Sequence, residues 1–353
     1  MTMHTYDPQH FTEKVRSPWR RFFARNLDLF IYSTLWAIFL SYVMNVNVAG
    51  RVPAASLMDT FVAFLMMLLI EPFLLAFLGT TPGKWILGLE VVDHDGKFLS
   101  VSEGFSRTWT VFWSGFGFCI PIYNLVRQWK CYNACKEGEI LDWEHESALV
   151  LKDEKKWRTA IYVVANIMLF IVLVYSLKMA GLPKHRGDIT VAAFSENYNR
   201  LSSYFKIDKQ HMLDESGRWV KREYDGTVII AGSDFDLPEF RFAETDGIMT
   251  GLRFSVEHTN YEGMLPTYQN EMILSVLSFV GAQKSGLSVL NDINEMVNLM
   301  TDFGPNGIEA NIQGVSVKYS TEISGYYATP SLGMYWPIEG EKKHFRFEFE
   351  MVK

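Results

Sequence analysis

GTTPGKWILGLEVVDHDG, residues 79–96, is a glycine-rich turn that ends a long apolar run. That run, 61–83, is uncharged except for Glu71, with Pro72 beside it. Upstream, RRFFARNLD (20–28) leads into 29–50, which is 22 residues without a charge. At about 1.5 Å per residue such a run crosses a hydrocarbon core of about 30 Å. It is too long for the apolar core of a signal peptide. A buried soluble helix is disfavoured because further spans follow. The expected class is a multi-pass α-helical membrane bundle.

Beyond the turn, His94-Asp95-Gly96 separates two apolar pieces, so 87–101 reads as a β-hairpin at the membrane surface. Segment 108–126 is uncharged and bounded by Arg107 and Arg127, but Gly115, Gly117 and Pro121 interrupt it. It either spans or re-enters. The linker 127–158 carries seven Lys and Arg, and 153–181 supplies a final transmembrane helix. Lys14, Arg16, Arg20, Arg21 and Arg25 place the N-terminus in the cytoplasm by the positive-inside rule. A re-entrant 108–126 keeps the basic linker inside and sends the C-terminal domain out; a full crossing leaves that domain cytoplasmic.

The net charge of −7 belongs to the second half. Residues 182–353 hold 16 Lys+Arg and 24 Asp+Glu, leaving 17 and 16 of the totals of 33 and 40 for the rest. This balance argues against nucleic acid as a partner. Residues 1–19 read as a polar arm, and 184–353 as a soluble α+β domain with a largely antiparallel sheet. Phe194, Tyr198, Leu201 and Phe205 mark one helix; 268–280 and 287–300 read as two more, separated by Lys284-Ser285-Gly286. Strands are expected around Asp225-Gly226, through Leu252, Phe254, Val256 and His258, over 308–323 and 334–338, and through Phe345, Phe347, Phe349 and Met351.

An ionisable group within an apolar span costs about 2.5 kcal/mol or more at mid-bilayer, so Glu71 is expected to face other helices. Arg21 and Asp28 lie seven residues apart on one helix face, and Arg25 and Asp28 have the spacing of a pair. Two readings follow. The arginines snorkel to headgroups and Asp28 balances them, or Asp28 and Glu71 form a proton- or cation-responsive pair inside the bundle.

GTTPGKW is not a nucleotide loop: Leu78 stands five before Gly83 and Trp85 follows Lys84. Lys84 is expected near lipid headgroups. Cys131 and Cys135, with only His145 near, make inert thiols and no metal site. His211, His258 and His344 are scattered without a nucleophile, so no catalysis and no cofactor are expected. The aromatics Tyr326, Tyr327, Tyr335 and Trp336 form either a partner-binding loop or core.

Arg21, Ala24 and Asp28 fall in an arginine–alanine–aspartate pattern entering the first helix. Thr81, Gly83, Lys84, Gly88, Val91 and Val92 fall in a T-x-G-K-x-x-x-G-x-x-V-V turn, with Gly96 beyond, and Arg107 opens the third apolar segment. In these residues the stretch 18–152 resembles the RDD family of bacterial membrane proteins. The family's final acidic position falls in ILDWEHES, on Asp142 or Glu144. The last span and the tail lie outside the resemblance. It implies transport of ions or small solutes, monovalent cation/proton exchange being one form, in a bacterial inner membrane. The alternative is a non-transporting anchor that displays an extracytoplasmic binding or sensing domain. The expected partners are the bilayer, an ion or small solute, and a protein bound by the C-terminal domain.

Overall fold

The computed structural model describes residues 17–353 except 121, 146, 154, 208–210, 222–236, 284–306 and 330–332. The polar arm over 1–16 with Lys14 and Arg16, the turn at Asp225-Gly226, Lys284-Ser285-Gly286 and the helix expected at 287–300 lie outside the described residues. The chain forms two compact units, one up to Met44 with Val48–Leu177, the other Asn45–Asn47 with Lys178–Lys353.

In the first unit, α1 (Pro18–Tyr42) and α2 (Pro53–Leu78) both begin at a proline, whose missing N–H is not needed in a first turn. Pro72 lies inside α2, which continues through it. A short α3 (Pro82–Ile86) follows, then strand β1 (Leu89–Val92) and helix α4 (Val101–Thr110), capped by Ser100 and Glu103. A π turn at Val111–Gly115 and a 3₁₀ turn at Gly117–Cys119 lead to α5 (Tyr123–Glu137). Strand β2 (Ala148–Leu151) and α6 (Trp157–Ala180) complete the unit. Among the described residues two helices, α2 and α6, are long and apolar enough to cross a membrane.

Two expectations need correction. The uncharged run 29–50 is not helical to its end: the first helix runs over Pro18–Tyr42, taking in the charged residues before the run, and the chain leaves the helix after Tyr42. The Asp95-Gly96 turn forms, with Asp93 N donating to Lys97 O at 2.9 Å, but no hairpin follows. Strand β1 pairs antiparallel with β2, Leu89 opposite Leu151 and Val92 opposite Ala148. In the stretch 108–126, π and 3₁₀ turns join α4 to α5, and Phe118 sits at φ 56°.

The second unit is built on a five-stranded antiparallel sheet in the order β5 (Arg241–Thr245), β6 (Ile248–Thr259), β12 (His344–Val352), β9 (Val315–Ser324), β8 (Ile308–Ile312). Alternation along β12 buries Phe345, Phe347, Phe349 and Met351 while Arg346, Glu348 and Glu350 face out. The buried face meets α7 (Val191–Phe205), through Phe194, Tyr198 and Leu201, and α8 (Gln269–Phe279). Strands β3 (His211–Leu213) and β4 (Trp219–Lys221) form a small hairpin. A third sheet runs β10 (Tyr326–Thr329), β11 (Met334–Pro337), β7 (Leu265–Pro266). The four aromatics read as a loop or core therefore lie on paired strands: Tyr326 is buried and donates to Tyr261 O at 2.6 Å, while Tyr327 is exposed.

Candidate functional site

Helices α1 and α2 pack side by side, and α3 folds back against α1. Asp28 and Glu71 are each only 1% exposed, so both carboxylates are inside the unit. They do not share partners. Glu71 Oε2 accepts from Arg25 Nη1, and Glu71 Oε1 accepts from Lys84 Nζ at 2.5 Å. Two cations thus hold one buried carboxylate, which offsets the cost of burying all three.

Asp28 binds the turn. Its Oδ1 accepts from Gly83 N at 2.7 Å and its Oδ2 from Thr81 Oγ1 at 2.5 Å. Thr81 Oγ1 in turn accepts from Lys84 N at 3.4 Å, capping α3. Thr81, Gly83 and Asp28 form one hydrogen-bonded unit that aims Lys84 at Glu71. Gly83 is needed for space: a Cβ there would overlap Ala24 O and reach 3.0 Å from Asp28 Oδ1.

Gly88, at φ +74°, closes the turn in a conformation that favours glycine. Beside it, Arg158 Nη1 donates to Trp85 O at 2.6 Å and Ile86 O at 3.2 Å, binding carbonyls at the end of α3. Asp153 orients that guanidinium through Nε at 2.5 Å and Nη2 at 2.7 Å. Those hydrogen bonds from Arg158 hold the Asp153 carboxyl well below the usual range.

At the other side of the cluster, Arg21 pairs with Glu144, 123 residues away. Asp142 is exposed and lies 3.6 Å from Arg127. Of the two acids open to the family's final position, Glu144 is the one that meets the first helix. Arg107, 6% exposed, donates through Nε to Ser147 Oγ at 3.0 Å, while its Nη1 has no hydrogen-bond partner among the described residues. A cavity of about 880 Å³ lies alongside, reached by Arg21, Arg25, Lys84 and Arg107.

Residues 15–186 match the RDD family. This part of the chain is an RDD domain. The match takes in α6, so the last apolar helix belongs to the RDD domain and not outside it, whereas the sheet unit after residue 186 lies beyond. The chain matches no curated protein and no solved structure.

The geometry alters three sequence readings. Arg25 pairs with Glu71 and not with Asp28; Arg21 and Arg25 turn inward and do not snorkel; Lys84 is buried and not at a headgroup surface. Sequence reasoning missed Ser147 and the Asp153–Arg158 clamp. The second had a signal, opposite charges five residues apart at the start of an apolar helix. Among the described residues no group of three or more His, Cys, Asp or Glu could hold a metal ion.

Proposed function

We propose that the RDD domain is a multi-pass unit of a bacterial inner membrane that moves an ion or small solute, with Arg25, Glu71 and Lys84 as its working centre. The observation that carries this reading is the buried ionic cluster on a helix apolar enough to span. Such groups are costly in a membrane and mark substrate or ion pathways. The apolar window of α6 has no buried residue, which suits a helix facing lipid. The reading assigns no catalysis and no cofactor. It places the N-terminus in the cytoplasm and the sheet unit outside, a sidedness that a C-terminal fusion reporter checks.

Flux into vesicles holding the purified full-length chain tests the proposal. Glu71→Gln and Asp28→Asn are expected to abolish the flux; unchanged flux through both variants would overturn it.

A second reading, an anchor displaying a binding or sensing module, is favoured by the independent core of the sheet unit. Pull-down with the full-length chain tests it, and failure to recover a specific partner across growth conditions counts against it.

A further inference from the structure

The cavity beside the cluster has an unusual charge balance. Arg21, Arg25, Lys84, Arg107 and Lys136 all line it. No Asp or Glu is among the described residues that line it. The carboxylates that compensate these cations lie behind the wall. Glu71 is divided between Arg25 and Lys84, Glu144 is joined to Arg21, and Asp28 is occupied by Thr81 and Gly83. Among the described residues Arg107 has no carboxylate of its own. Its guanidinium is more than nine-tenths buried, and Nη1 has no hydrogen-bond partner among the described residues. An unpaired buried charge is a large free-energy cost that a bound counter-ion would relieve.

The remainder of the wall is apolar and aromatic. Phe22, Phe116, Trp143 and Leu149 line it, and Trp129 and Leu125 on α5 are exposed at its side. Aromatic residues that are apolar at one end and wet at the other suit the boundary between headgroups and acyl chains. A volume of about 880 Å³ exceeds what a bare inorganic anion fills.

We infer that this cavity binds an anionic phospholipid, its phosphate seated against Arg107 and Arg21 and its acyl chains along the aromatic wall of α5. Arginine suits this role because its planar fork donates two hydrogen bonds to a phosphate. The inference rests on the RDD domain being membrane-embedded, but not on its moving a solute.

The test titrates the detergent-purified full-length chain with dioctanoyl phosphatidylglycerol, dioctanoyl phosphatidylcholine and inorganic phosphate, read by calorimetry. Phosphatidylglycerol is expected to bind about tenfold tighter than phosphatidylcholine, whose choline cation opposes the cavity's charge. Arg107→Gln is expected to remove that preference. Because Arg107→Gln also alters a buried site, Gln128→Glu supplies a second variant: Gln128 lines the cavity outside the ionic cluster, and a carboxylate there repels the phosphate. Equal binding of the two lipids, or an unchanged preference in a cooperatively melting Gln128→Glu protein, would overturn the inference. Tighter binding of inorganic phosphate than of phosphatidylglycerol would overturn the lipid assignment. No flux through the wild-type protein, with its lipid preference present, counts against the proposed transport alone; wild-type flux without a lipid preference counts against the lipid site alone.

Discussion

Lys84 Nζ lies 2.5 Å from Glu71 Oε1, an ion pair that joins the last third of an apolar helix to the turn following it. The pair exists because Pro82 and Gly83 start a new helix that doubles back on α1, and Asp28 fixes that start. The family motif is therefore a device for delivering an ammonium group to a buried carboxylate. Its consequences can be measured.

Glu71→Gln leaves Arg25 and Lys84 buried against a neutral amide. Breaking one side of a buried ion pair costs about 3–5 kcal/mol. Thermal unfolding of the purified chain is expected to shift well below wild type, and an unshifted melt would show that Glu71 does not hold the two cations.

Gly83→Ala places a methyl group where Ala24 O and Asp28 already sit. Overpacking of this kind costs about 1–3 kcal/mol, and the backbone cannot retreat without breaking the Gly83–Asp28 hydrogen bond. A melt of Gly83→Ala matching that of wild type would place the turn elsewhere.

Glu144→Gln and Asp142→Asn separate the two acids. The first strips a counter-charge from the half-buried Arg21 and is expected to lower the melting temperature; the second removes an exposed, loosely held carboxylate and is expected to change stability by less than about 0.5 kcal/mol. The reverse order would assign Asp142 as the partner.

In the second unit, Asp214 shapes the β3–β4 turn. It accepts from Ser216 Oγ at 2.7 Å and from Ser216 N and Arg218 N at 2.9 Å, which, with Ser216 foremost, holds its carboxyl at about 2. A depressed carboxyl contributes stability above its unfolded value of about 3.9 and loses it as pH falls through the folded one. Hydrogen-exchange protection of β3 and β4 is expected to fall between those two values, and Asp214→Asn to flatten that dependence.

Phe347→Ala opens the centre of the sheet unit. Phe347 stacks on Phe254 at 5.7 Å and Tyr319 at 6.0 Å between ring centroids, and truncating a buried phenylalanine costs about 3–5 kcal/mol. Denaturant unfolding should show the loss.

Local patterns were readable and distant pairings were not. Phe345, Phe347, Phe349 and Met351 alternate at the period of a strand, and the structure buries all four. The run around Glu71 lies within α2 apart from its last residues, because hydrophobicity alone sets a helix of that kind. The charges at 20–28 are readable as one helix face, but the partners that allow Arg21 and Arg25 to be buried, Glu144 and Glu71, have positions fixed only by folding. The Asp95-Gly96 turn was a sound local signal, yet the partner of β1 came from 148–151. Asp142 and Glu144, two residues apart on one short turn, are alike in sequence and differ only in what lies opposite.

The pairing of Leu89–Val92 with Ala148–Leu151 works as a clasp across the loop that carries Arg107 and α5. A chain ending before Ser147 would strand the amides of Leu89–Val92 as a bare edge and deprive Arg107 of its serine partner. Such a fragment would be prone to recruit a second molecule through that edge. The minimal self-contained piece of the RDD domain therefore reaches at least to Leu151, which sets where deletions for biochemistry should stop.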